Sequence, residues 1–324
     1  MNLLDSVFPK SLNGPSGELA RSTAGQALRK RHDAGSTGIA ECAGRAGDDL
    51  PEAGSRKGRN CVMTFASGNI AASQRDILGL PVYDLGWAEA LAFAEEMASL
   101  PFGQSVIAFL DARNGNRMMS DREYRAVLER QIVLPEGDGI DIASKMFHGR
   151  RFPANLSGTT FVPALLTYLA RPMRVALVGG EQAMLMQAAE ELRRHTPWHE
   201  ILPIADGAFD RAQSDAVMER VRAAKADILL VSMGSPAQET WIDRHVGPGH
   251  ARLVLSVAGL FEAIADGTYR KAAAVRASRL ERLRRFARQP DLAAPVFLYH
   301  VLRHKLSSVT ASRGPARTAK AGSL

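Results

Sequence analysis

The stretch MRVALVGGEQAMLMQAAEELRRH, residues Met173–His195, decides the class of fold. Its first part is a continuous apolar run that ends in Gly179 and Gly180, and its second part carries apolar side chains at helical spacing. A short, uniformly apolar run is typical of a strand that is buried on both faces, as strands of parallel sheets are. The stretch therefore predicts a βα unit with a glycine turn between the strand and the helix.

The same alternation continues on both sides of this unit. Further apolar runs predict strands at LPVYDL, SVIAFLDA, QIVLPEG, ADILLVSMG and ARLVLSVAGL. Between them, helices are predicted at GWAEALAFAEEMASL, SDREYRAVLERQ, FVPALLTYLA and PAQETWIDRHV. Strands that alternate with helices indicate βαβ units. We therefore expect an α/β fold with a mainly parallel, Rossmann-like sheet flanked by helices, followed by a helical, basic C-terminal appendage.

Composition divides the chain into four parts. Residues 1–60 are rich in Gly, Ala, Ser and charged residues, with few large apolar side chains, which predicts a disordered N-terminal extension. Residues 61–270 carry the α/β pattern. Residues 271–306 combine an arginine run with an apolar segment, and residues 307–324 are predicted to form a disordered basic tail.

The charge balance narrows the choice of partners. The 324-residue chain has a formal net charge of +7, which favours anionic partners such as nucleic acid, anionic lipid or a phosphate-bearing substrate. The arginine run is nearly free of the interleaved aromatic side chains that nucleic-acid binding uses, so nucleic acid is not expected. The same run could be a solvated helix face, but an apolar segment follows it directly, which favours membrane headgroups or a lipid-linked phosphate.

Metal chemistry and membrane spanning are not expected from the sequence. The 2 cysteines lie outside the predicted core, and the 8 histidines form no H-E-x-x-H motif and no His/Cys cluster. The chain shows no apolar run of about 18 residues and no start typical of a signal peptide. These features predict a cytoplasmic protein without a disulfide framework or a metal site.

A cluster of acids and glycines ends one of the predicted strands. In VLPEGDGIDIASKMFHG, Gly137 and Gly139 allow the backbone to approach a ligand closely, and Glu136 beside them is a candidate general base. The alternative is a plain strand-to-helix turn in which Asp138 or Asp141 caps the helix. A calcium loop is excluded because no glutamate closes a loop of about 12 residues.

Two other strand ends carry candidate ligand groups. Gly179 and Gly180 precede a helix, where free N–H groups could cradle a diphosphate, although a tight turn would use the same residues. In MGSPAQETW, Gly234 starts a loop, and Gln238 and Glu239 are predicted to face the cleft, unless the glutamate serves only as a helix cap. A dinucleotide-dependent oxidoreductase is not expected, because the G-x-G-x-x-G fingerprint and its ribose-binding acid are missing.

The ordered set of motifs resembles the WecB/TagA/CpsF glycosyltransferases, glycosyltransferase family 26, over roughly residues 80–304. LPEGDGIDIAS resembles the family's LNDGxGVDIAS, PANLSGTTFVPAL resembles PxNLNGTDFxPxL, and ALVGG resembles lvGG. GSPAQETWI resembles GsPkQExWi, SVAGLFEAIADGTYRKAA loosely resembles gvGxxFdxxaGxxxRAP, and LERLRRFARQP resembles lEWlyRLxxeP.

The resemblance implies an inverting transferase that needs no cofactor or metal. It implies transfer of a sugar, of hexosyl or N-acetylmannosaminyl type, from a UDP-sugar to a polyprenyl-diphosphate-linked glycan in exopolysaccharide, capsule or cell-surface polysaccharide synthesis. The basic C-terminal segment is then expected to dock on the inner face of the bacterial cytoplasmic membrane, where the protein would be peripheral, and to close the site. Family members also assemble into oligomers, which leaves a homo-oligomer open.

The resemblance also assigns roles to particular residues. Glu136 takes the place of the family's proposed base, Asp111 is a second candidate base, and Arg285 would stabilise the departing diphosphate. The remaining expected substrate-binding residues are Gly137, Gly139, Asn155, Gly158, Thr160, Gly179, Gly180, Gly234, Gln238, Glu239 and Glu262.

Several positions depart from the family pattern. Glu136 is one methylene longer than the family's aspartate, and the early Thr-x-Asn motif is replaced by Phe109 and Asp111. These departures suggest either an unusual donor or acceptor, or a weakened relative that binds UDP-sugar as a scaffolding subunit. Further departures are Thr160 and Glu262 for aspartates, Lys271 for an arginine and Arg282 for a tryptophan.

Overall fold

A computed structural model describes residues 73–101, 103–268 and 293–312, with side chains described as far as residue 305. The predicted N-terminal extension and the arginine run, including Arg285, Lys271 and Arg282, lie outside the described residues, as does the last part of the predicted tail.

The described chain alternates strands and helices from its first element onward. In chain order the elements are β1 (Gln74–Ile77), β2 (Leu80–Tyr83), α1 (Trp87–Ser99), β3 (Ser105–Leu110), α2 (Ala112–Ser120), α3 (Arg122–Glu129), β4 (Ile132–Pro135), α4 (Gly137–His148), α5 (Gly158–Tyr168), β5 (Arg174–Gly179), α6 (Gln182–His195), β6 (Glu200–Ala205), a 3-10 turn (Arg211–Gln213), α7 (Ser214–Ala223), β7 (Ile228–Ser232), α8 (Ala237–His245), β8 (Leu253–Ser256), α9 (Leu260–Ala265) and α10 (Ala293–Ser312).

Six of the strands form one parallel sheet in the order β4-β3-β8-β7-β5-β6, and β1 and β2 form a separate antiparallel hairpin. Every residue of β7 and β8 is buried, which explains why both segments are apolar at successive positions instead of alternating positions. The prediction of a Rossmann-like α/β fold with a mainly parallel sheet is confirmed.

Helices cover both faces of this sheet. On one face, α1, α5, α6 and α9 pack into a single apolar cluster with inward-facing side chains such as Ile107 and Leu230. On the other face, α2, α3, α4 and α10 share one cluster, and α7 and α8 share another. Burial on both faces leaves the two ends of the strands as the places where the sheet can meet a ligand.

Several elements were not predicted, for reasons that the structure makes plain. β6 lies at the edge of the sheet, and its sequence EILPIA carries a proline inside the apolar run, which counts against a strand except at an edge. Helix α2, with the sequence ARNGNRMMS, buries only Gly115 and Met118, which is too little for a helical stripe of apolar residues. The strand β1 and the helices α7 and α9 were also missed.

The C-terminal helix α10 is packed into the domain. The Phe297 and Val301 side chains are both 0% exposed, and Asn116 Nδ2 donates a hydrogen bond to the carbonyl oxygen of Ala293 at 2.8 Å. The Phe297 ring fills a recess beside Gly115, where an added Cβ would lie only 2.4 Å from it. α10 also continues past the predicted boundary at residue 306 and ends at Ser312.

Candidate active site

The predicted site residues gather at the carboxyl edge of the parallel sheet. Asp111 follows β3 directly and Glu136 follows β4, while Gly179 ends β5 and Gly234 lies just beyond β7. The chain passes from β3 to β4 at one edge of the sheet, and from β5 to β6 at the opposite edge. Such a reversal opens a crevice over the strands between them, here β8 and β7, and crevices of this kind bind ligands in α/β proteins.

Glu136 lies at the N-cap of α4, but within the described residues its carboxylate makes no capping hydrogen bond. Its backbone N–H donates to the carbonyl oxygen of Leu110 at 2.8 Å, which fixes the residue beside the end of β3. Its Oε1 accepts a hydrogen bond from Ser157 Oγ at 2.7 Å. The pKa of Glu136 is raised to about 7: burial is the main cause, hydrogen bonds from Ser157 and the Gly158 N–H oppose it, and the charge of Asp111 adds to it.

Asp111 lies at the N-cap of α2, as Glu136 does at the N-cap of α4, but the Asp111 carboxylate caps its own helix. Its Oδ1 accepts the backbone N–H of Asn114 at 2.7 Å, as an N-cap aspartate commonly does. The side-chain Nδ2 of Asn114 in turn donates to the carbonyl oxygen of Phe109 at 3.1 Å. Asp111 is therefore held by its own helix, whereas the Glu136 carboxylate is bonded across to another loop.

The loop before α5 is tied to the end of β4. The Asn155 Oδ1 accepts the backbone N–H of Gly137 at 2.9 Å, and Gly137 has a φ of +86°, a conformation that favours glycine. Thr160 Oγ1 donates to the carbonyl oxygen of Ser157 at 3.0 Å, inside the first turn of α5. Gly158 is buried, and an added Cβ would lie 2.7 Å from Val257, so this glycine permits close packing.

Gly139 has a packing role in the structure. It is buried in the first turn of α4, where an added Cβ would lie 3.1 Å from the Ala112 side chain and 3.8 Å from the Phe297 ring. The glycine therefore lets α2 and α10 approach α4 closely. Its predicted contact with a ligand stays a prediction.

The glycine turn after β5 is bonded to the neighbouring β7 strand. Gly179 has a φ of +117°, and an added Cβ would lie 2.1 Å from the carbonyl oxygen of Ser232. Gly180 donates its N–H to that same oxygen at 2.7 Å. The expectation that the Gly180 N–H is a donor for a diphosphate is therefore corrected: the parallel strands pass so close here that this N–H is used inside the protein. Glu262, at the start of α9, is exposed and lies beside Gly180.

Gln238 and Glu239 are each 1% exposed, so the expectation that both face an open cleft is corrected. Gln238 Oε1 accepts the backbone N–H groups of Met233 and Gly234, each at 3.1 Å, and thereby holds the loop after β7. Glu239 Oε1 accepts hydrogen bonds from Ser235 Oγ at 2.6 Å and from Gln238 Nε2 at 3.0 Å. These bonds engage Gln238 Oε1 and Glu239 Oε1, whereas Glu239 Oε2 is buried without a hydrogen-bond partner among the described residues. Direct ligand contact by either side chain stays a prediction.

Three serines belong to this region although no role was predicted for them. Ser157 bonds Glu136, Ser235 bonds Glu239, and Ser256, at the end of β8, donates to Glu239 Oε1 at 3.0 Å. In the sequence, Ser157 and Ser235 stand just before helices, which is a position typical of helix caps. Their actual partners come from other loops or the next turn, which a cap pattern does not reveal.

A cavity of about 410 Å³ lies beside the start of α8, next to the loop after β7. Arg117 and Arg244 line it, but each is already paired with an acid: Arg117 with Asp121 at 3.1 Å and Arg244 with Glu123 at 2.8 Å. Arg211 also lines the cavity and bonds the carbonyl oxygen of Gly207 at 3.2 Å instead of an acid, so the described lining keeps one arginine charge that no carboxylate pairs. Neither candidate base lines this cavity.

Two further properties concern the described residues only. Among them, no group of three or more His, Cys, Asp or Glu side chains is arranged so that it could hold a metal ion. None of their helices is both long and apolar enough to cross a membrane. Arg285, the third expected catalytic residue, lies outside the described residues.

The fold and the site define a Rossmann-like enzyme in which carboxylates and glycine turns share one ligand-binding edge. Residues 75–311 match the Glycosyl transferase WecG/TagA/CpsF family, and the chain belongs to this family, which makes it a glycosyltransferase. It is also 25% identical, over 233 residues, to an N-acetylglucosaminyldiphosphoundecaprenol N-acetyl-beta-D-mannosaminyltransferase of Bacillus spizizenii. That similarity covers 68% of this chain and 89% of the relative.

Proposed function

We propose that this protein transfers a sugar, with inversion, from a UDP-sugar to a polyprenyl-diphosphate-linked acceptor in the synthesis of a bacterial cell-surface or extracellular polysaccharide. The observation that carries the proposal is Glu136, a carboxylate at the ligand-binding edge whose pKa of about 7 suits a general base near neutral pH. Family membership and the name of the Bacillus relative support the class of substrates.

The proposed reaction is a single displacement at the anomeric carbon of the donor sugar. A hydroxyl group of the acceptor attacks this carbon, Glu136 takes the hydroxyl proton, and UDP leaves. Asp111 is the second candidate base, but its carboxylate is engaged at the N-terminus of α2, so we assign it an electrostatic role. Its negative charge raises the pKa of Glu136 and so makes Glu136 the stronger base.

The leaving diphosphate needs positive charge or N–H dipoles, because negative charge develops on it as the glycosidic bond breaks. With the Gly180 N–H used inside the protein, we assign most of this task to Arg285 and the other arginines of the C-terminal run, without a metal ion. The loop at Gly234 and the exposed Glu262 are proposed to contact the nucleotide and the sugar, respectively.

Helix α10 supports a peripheral position on an anionic membrane. Its outer face exposes Val296, Tyr299 and Leu302, which are 46%, 61% and 48% exposed and follow one another at three-residue spacing. Arg303 is exposed close to this apolar face, and the exposed Lys305 donates its ammonium group to the carbonyl oxygen of Met146. A helix with an apolar face and neighbouring cations is typical of membrane-surface binding, which would bring the site to a lipid-linked acceptor.

The test is acceptor-dependent release of UDP by the purified full-length protein. A panel of UDP-sugars, beginning with UDP-N-acetylmannosamine and including UDP-hexoses, is incubated with and without a bacterial membrane extract, in the presence and absence of EDTA. We expect one donor to give EDTA-insensitive release that requires the extract, and Glu136→Gln to lower the rate about 10²–10⁴-fold.

Asp111→Asn is the matched control, because asparagine caps helices as well as aspartate does and removes only the charge. We expect it to retain much more activity than Glu136→Gln. Full turnover in Glu136→Gln would contradict the assignment of the base. Saturable binding of UDP-sugars without release, across the whole panel, would instead support the scaffolding alternative.

A further inference from the structure

Ser157 stands at the N-cap of α5, but its hydroxyl does not cap that helix within the described residues. The first turn of α5 is closed by the backbone, since the carbonyl oxygen of Ser157 accepts the N–H groups of Thr160 and Phe161 at 3.0 and 2.8 Å. The hydroxyl bonds Glu136, itself an N-cap residue that does not cap its own helix. Two N-cap side chains, 21 residues apart, thus bond each other in place of their helices.

Other bonds of the two loops hold Ser157 beside Glu136 without help from the Ser157 hydroxyl. Leu156, the preceding residue, donates its N–H to the carbonyl oxygen of Pro135 at 3.0 Å, and Asn155 accepts the Gly137 N–H at 2.9 Å. These two bonds flank the Ser157–Glu136 contact and do not involve either carboxylate oxygen. The hydroxyl can therefore be removed while the loop stays in place, and its bond to Glu136 contributes little that the fold requires.

The ionised Glu136 carboxylate sets the direction of the hydrogen bonds that it and the neighbouring Thr159 make with Ser157. Ser157 Oγ and Thr159 Oγ1 are 3.2 Å apart, and either could be the donor by distance alone. An ionised carboxylate can only accept, so the single hydroxyl hydrogen of Ser157 is given to Glu136 and Thr159 donates to Ser157. Hydrogen bonds in such a chain polarise one another, which strengthens the bond that reaches the carboxylate.

A glutamate side chain has several rotatable bonds, and fixing its position costs conformational entropy at the moment of reaction. With Oε1 bonded to Ser157 and the Gly158 N–H also bonded to the carboxylate, the Glu136 carboxylate is held in one orientation. We propose that Ser157 is a positioning residue that orients the Glu136 carboxylate and favours its ionised form, ready to accept the proton of the acceptor hydroxyl. This role rests on the proposed function, in which Glu136 is the base.

The test compares three variants of the full-length protein: Ser157→Ala, which removes the hydroxyl, Ser157→Thr, which keeps it, and Ser120→Ala, a control at an exposed serine far from the site. In the UDP-release assay we expect Ser157→Ala to lower kcat about 10–100-fold, the range for loss of a hydrogen bond to a charged group, with little change in the KM for the donor. The acidic limb of its pH profile should move to higher pH. Ser157→Thr should restore most of the rate and the profile.

A second measurement does not depend on turnover. Infrared difference spectra against Glu136→Gln follow the protonated carboxyl band of Glu136 as the pH is changed. We expect the midpoint of this titration to rise in Ser157→Ala and to return in Ser157→Thr, because a hydrogen bond to the ionised form is lost and then regained.

The two measurements separate failure of this inference from failure of the proposed function. An unchanged titration midpoint in Ser157→Ala would overturn the positioning role, whatever the activity. Equal losses of rate in Ser157→Ala and Ser157→Thr would overturn it as well, because they would reflect packing alone. A wild-type protein that releases no UDP, but shows the expected shifts of the midpoint, would instead count against the proposed function.

Discussion

The two halves of the ligand-binding edge are built in opposite ways. In the half formed by the loops after β3 and β4, two acidic side chains stand at helix starts, and the Glu136 carboxylate lies away from its own helix. In the half formed by the loops after β5 and β7, the backbone itself comes to the edge through glycines such as Gly179 and Gly234, both at positive φ. The polar side chains of that half, Gln238 and Glu239, are buried beneath the loop.

The difference suggests that the acid half serves the proposed chemistry, whereas the glycine half stabilises the fold. In the acid half, partial burial destabilises the charged form of the Glu136 carboxylate, which favours reactivity over stability. The glycine half contains close backbone contacts and buried hydrogen bonds, such as those that Gln238 Oε1 accepts from Met233 and Gly234, which favour stability. Substitutions in the glycine half should therefore lower the stability of the protein, and substitutions in the acid half should change its reactivity while leaving it folded.

The largest effect on stability is expected from Gly179→Ala. The new methyl group would meet the Ser232 carbonyl oxygen, which lies 2.1 Å from the ideal Cβ position, and alanine also disfavours a φ of +117°. A positive φ alone costs about 1–3 kcal/mol, and the steric contact adds to it, so we expect a loss of at least about 3 kcal/mol in the free energy of unfolding. Urea unfolding followed by circular dichroism measures it.

Gly149→Ala is the control for this prediction. Gly149 ends α4 at a φ of +75°, and no heavy atom of the described structure lies within 4 Å of its ideal Cβ position. Gly149→Ala should lower the free energy of unfolding only by the cost of the left-handed backbone conformation, about 1–2 kcal/mol. Equal losses in the two variants would show that close contact between β5 and β7 does not matter, and the comparison of the two halves would then lose its main support.

The next effect is expected at Gln238. Gln238→Ala removes the acceptor of two backbone N–H groups, those of Met233 and Gly234, so we expect a loss of about 1–3 kcal/mol. Gln238→Glu keeps an acceptor but places a second carboxylate against Glu239, whose Oε1 lies 3.0 Å from Nε2 of Gln238. The glutamate variant should therefore be less stable at about pH 8 than at about pH 5. A flat pH dependence would contradict the close contact between these two side chains.

Much of this arrangement could be predicted from sequence, and the limit is physical. Uniform apolar runs locate the buried strands, and the order of strands and helices then places Asp111 and Glu136 at one edge of a parallel sheet. The burial of Gln238 and Glu239 could not be predicted, because these residue types are usually exposed, and the hydrogen bonds that accompany their burial depend on how the loop after β7 folds back and on Ser256 of β8. The bond between Ser157 and Glu136 joins loops 21 residues apart and has no local pattern.

In the acid half, Glu136→Gln should keep the fold and even gain stability at alkaline pH. The folded pKa of Glu136 is raised from 4.5 to about 7, so between these values the folded protein binds more protons at this site than the unfolded chain does. Stability therefore falls as the pH rises through this window, and glutamine avoids that loss. We expect a gain of about 1 kcal/mol at about pH 8, after allowance for partial exposure, and a smaller gain at about pH 5.

Urea unfolding of the wild type and of Glu136→Gln at the two pH values measures this difference. Asp111→Asn again serves as the comparison, since it keeps the helix cap and removes a charge that raises the pKa of Glu136. A loss of stability in Glu136→Gln at about pH 8 would mean that the carboxylate holds the fold together, as the side chains of the glycine half do.

The smallest effect is expected at His199, which lies just before β6, beyond the glycine half. Its Nδ1 accepts the N–H of Met173 at 3.1 Å and its Nε2 donates to the carbonyl oxygen of Leu166 at 2.7 Å, so the ring is neutral in the folded protein. Burial lowers the pKa of His199 below 6.5. Between the lowered folded pKa and 6.5 the unfolded chain binds more protons, so stability is present above this window and is lost as the pH falls through it.

Glu136 contributes the opposite slope over part of the same range, so the His199 effect is best measured in the Glu136→Gln background. There, the free energy of unfolding should fall as the pH is lowered from about 7.5 to about 5.5, and adding His199→Gln should flatten that slope while lowering stability at the higher pH. An unchanged slope would assign the pH dependence to other groups, such as His250, whose pKa is also lowered by burial. The flattened slope would show that the two parts of the fold respond to pH with opposite signs, one through a reactive carboxylate and the other through a buried neutral ring.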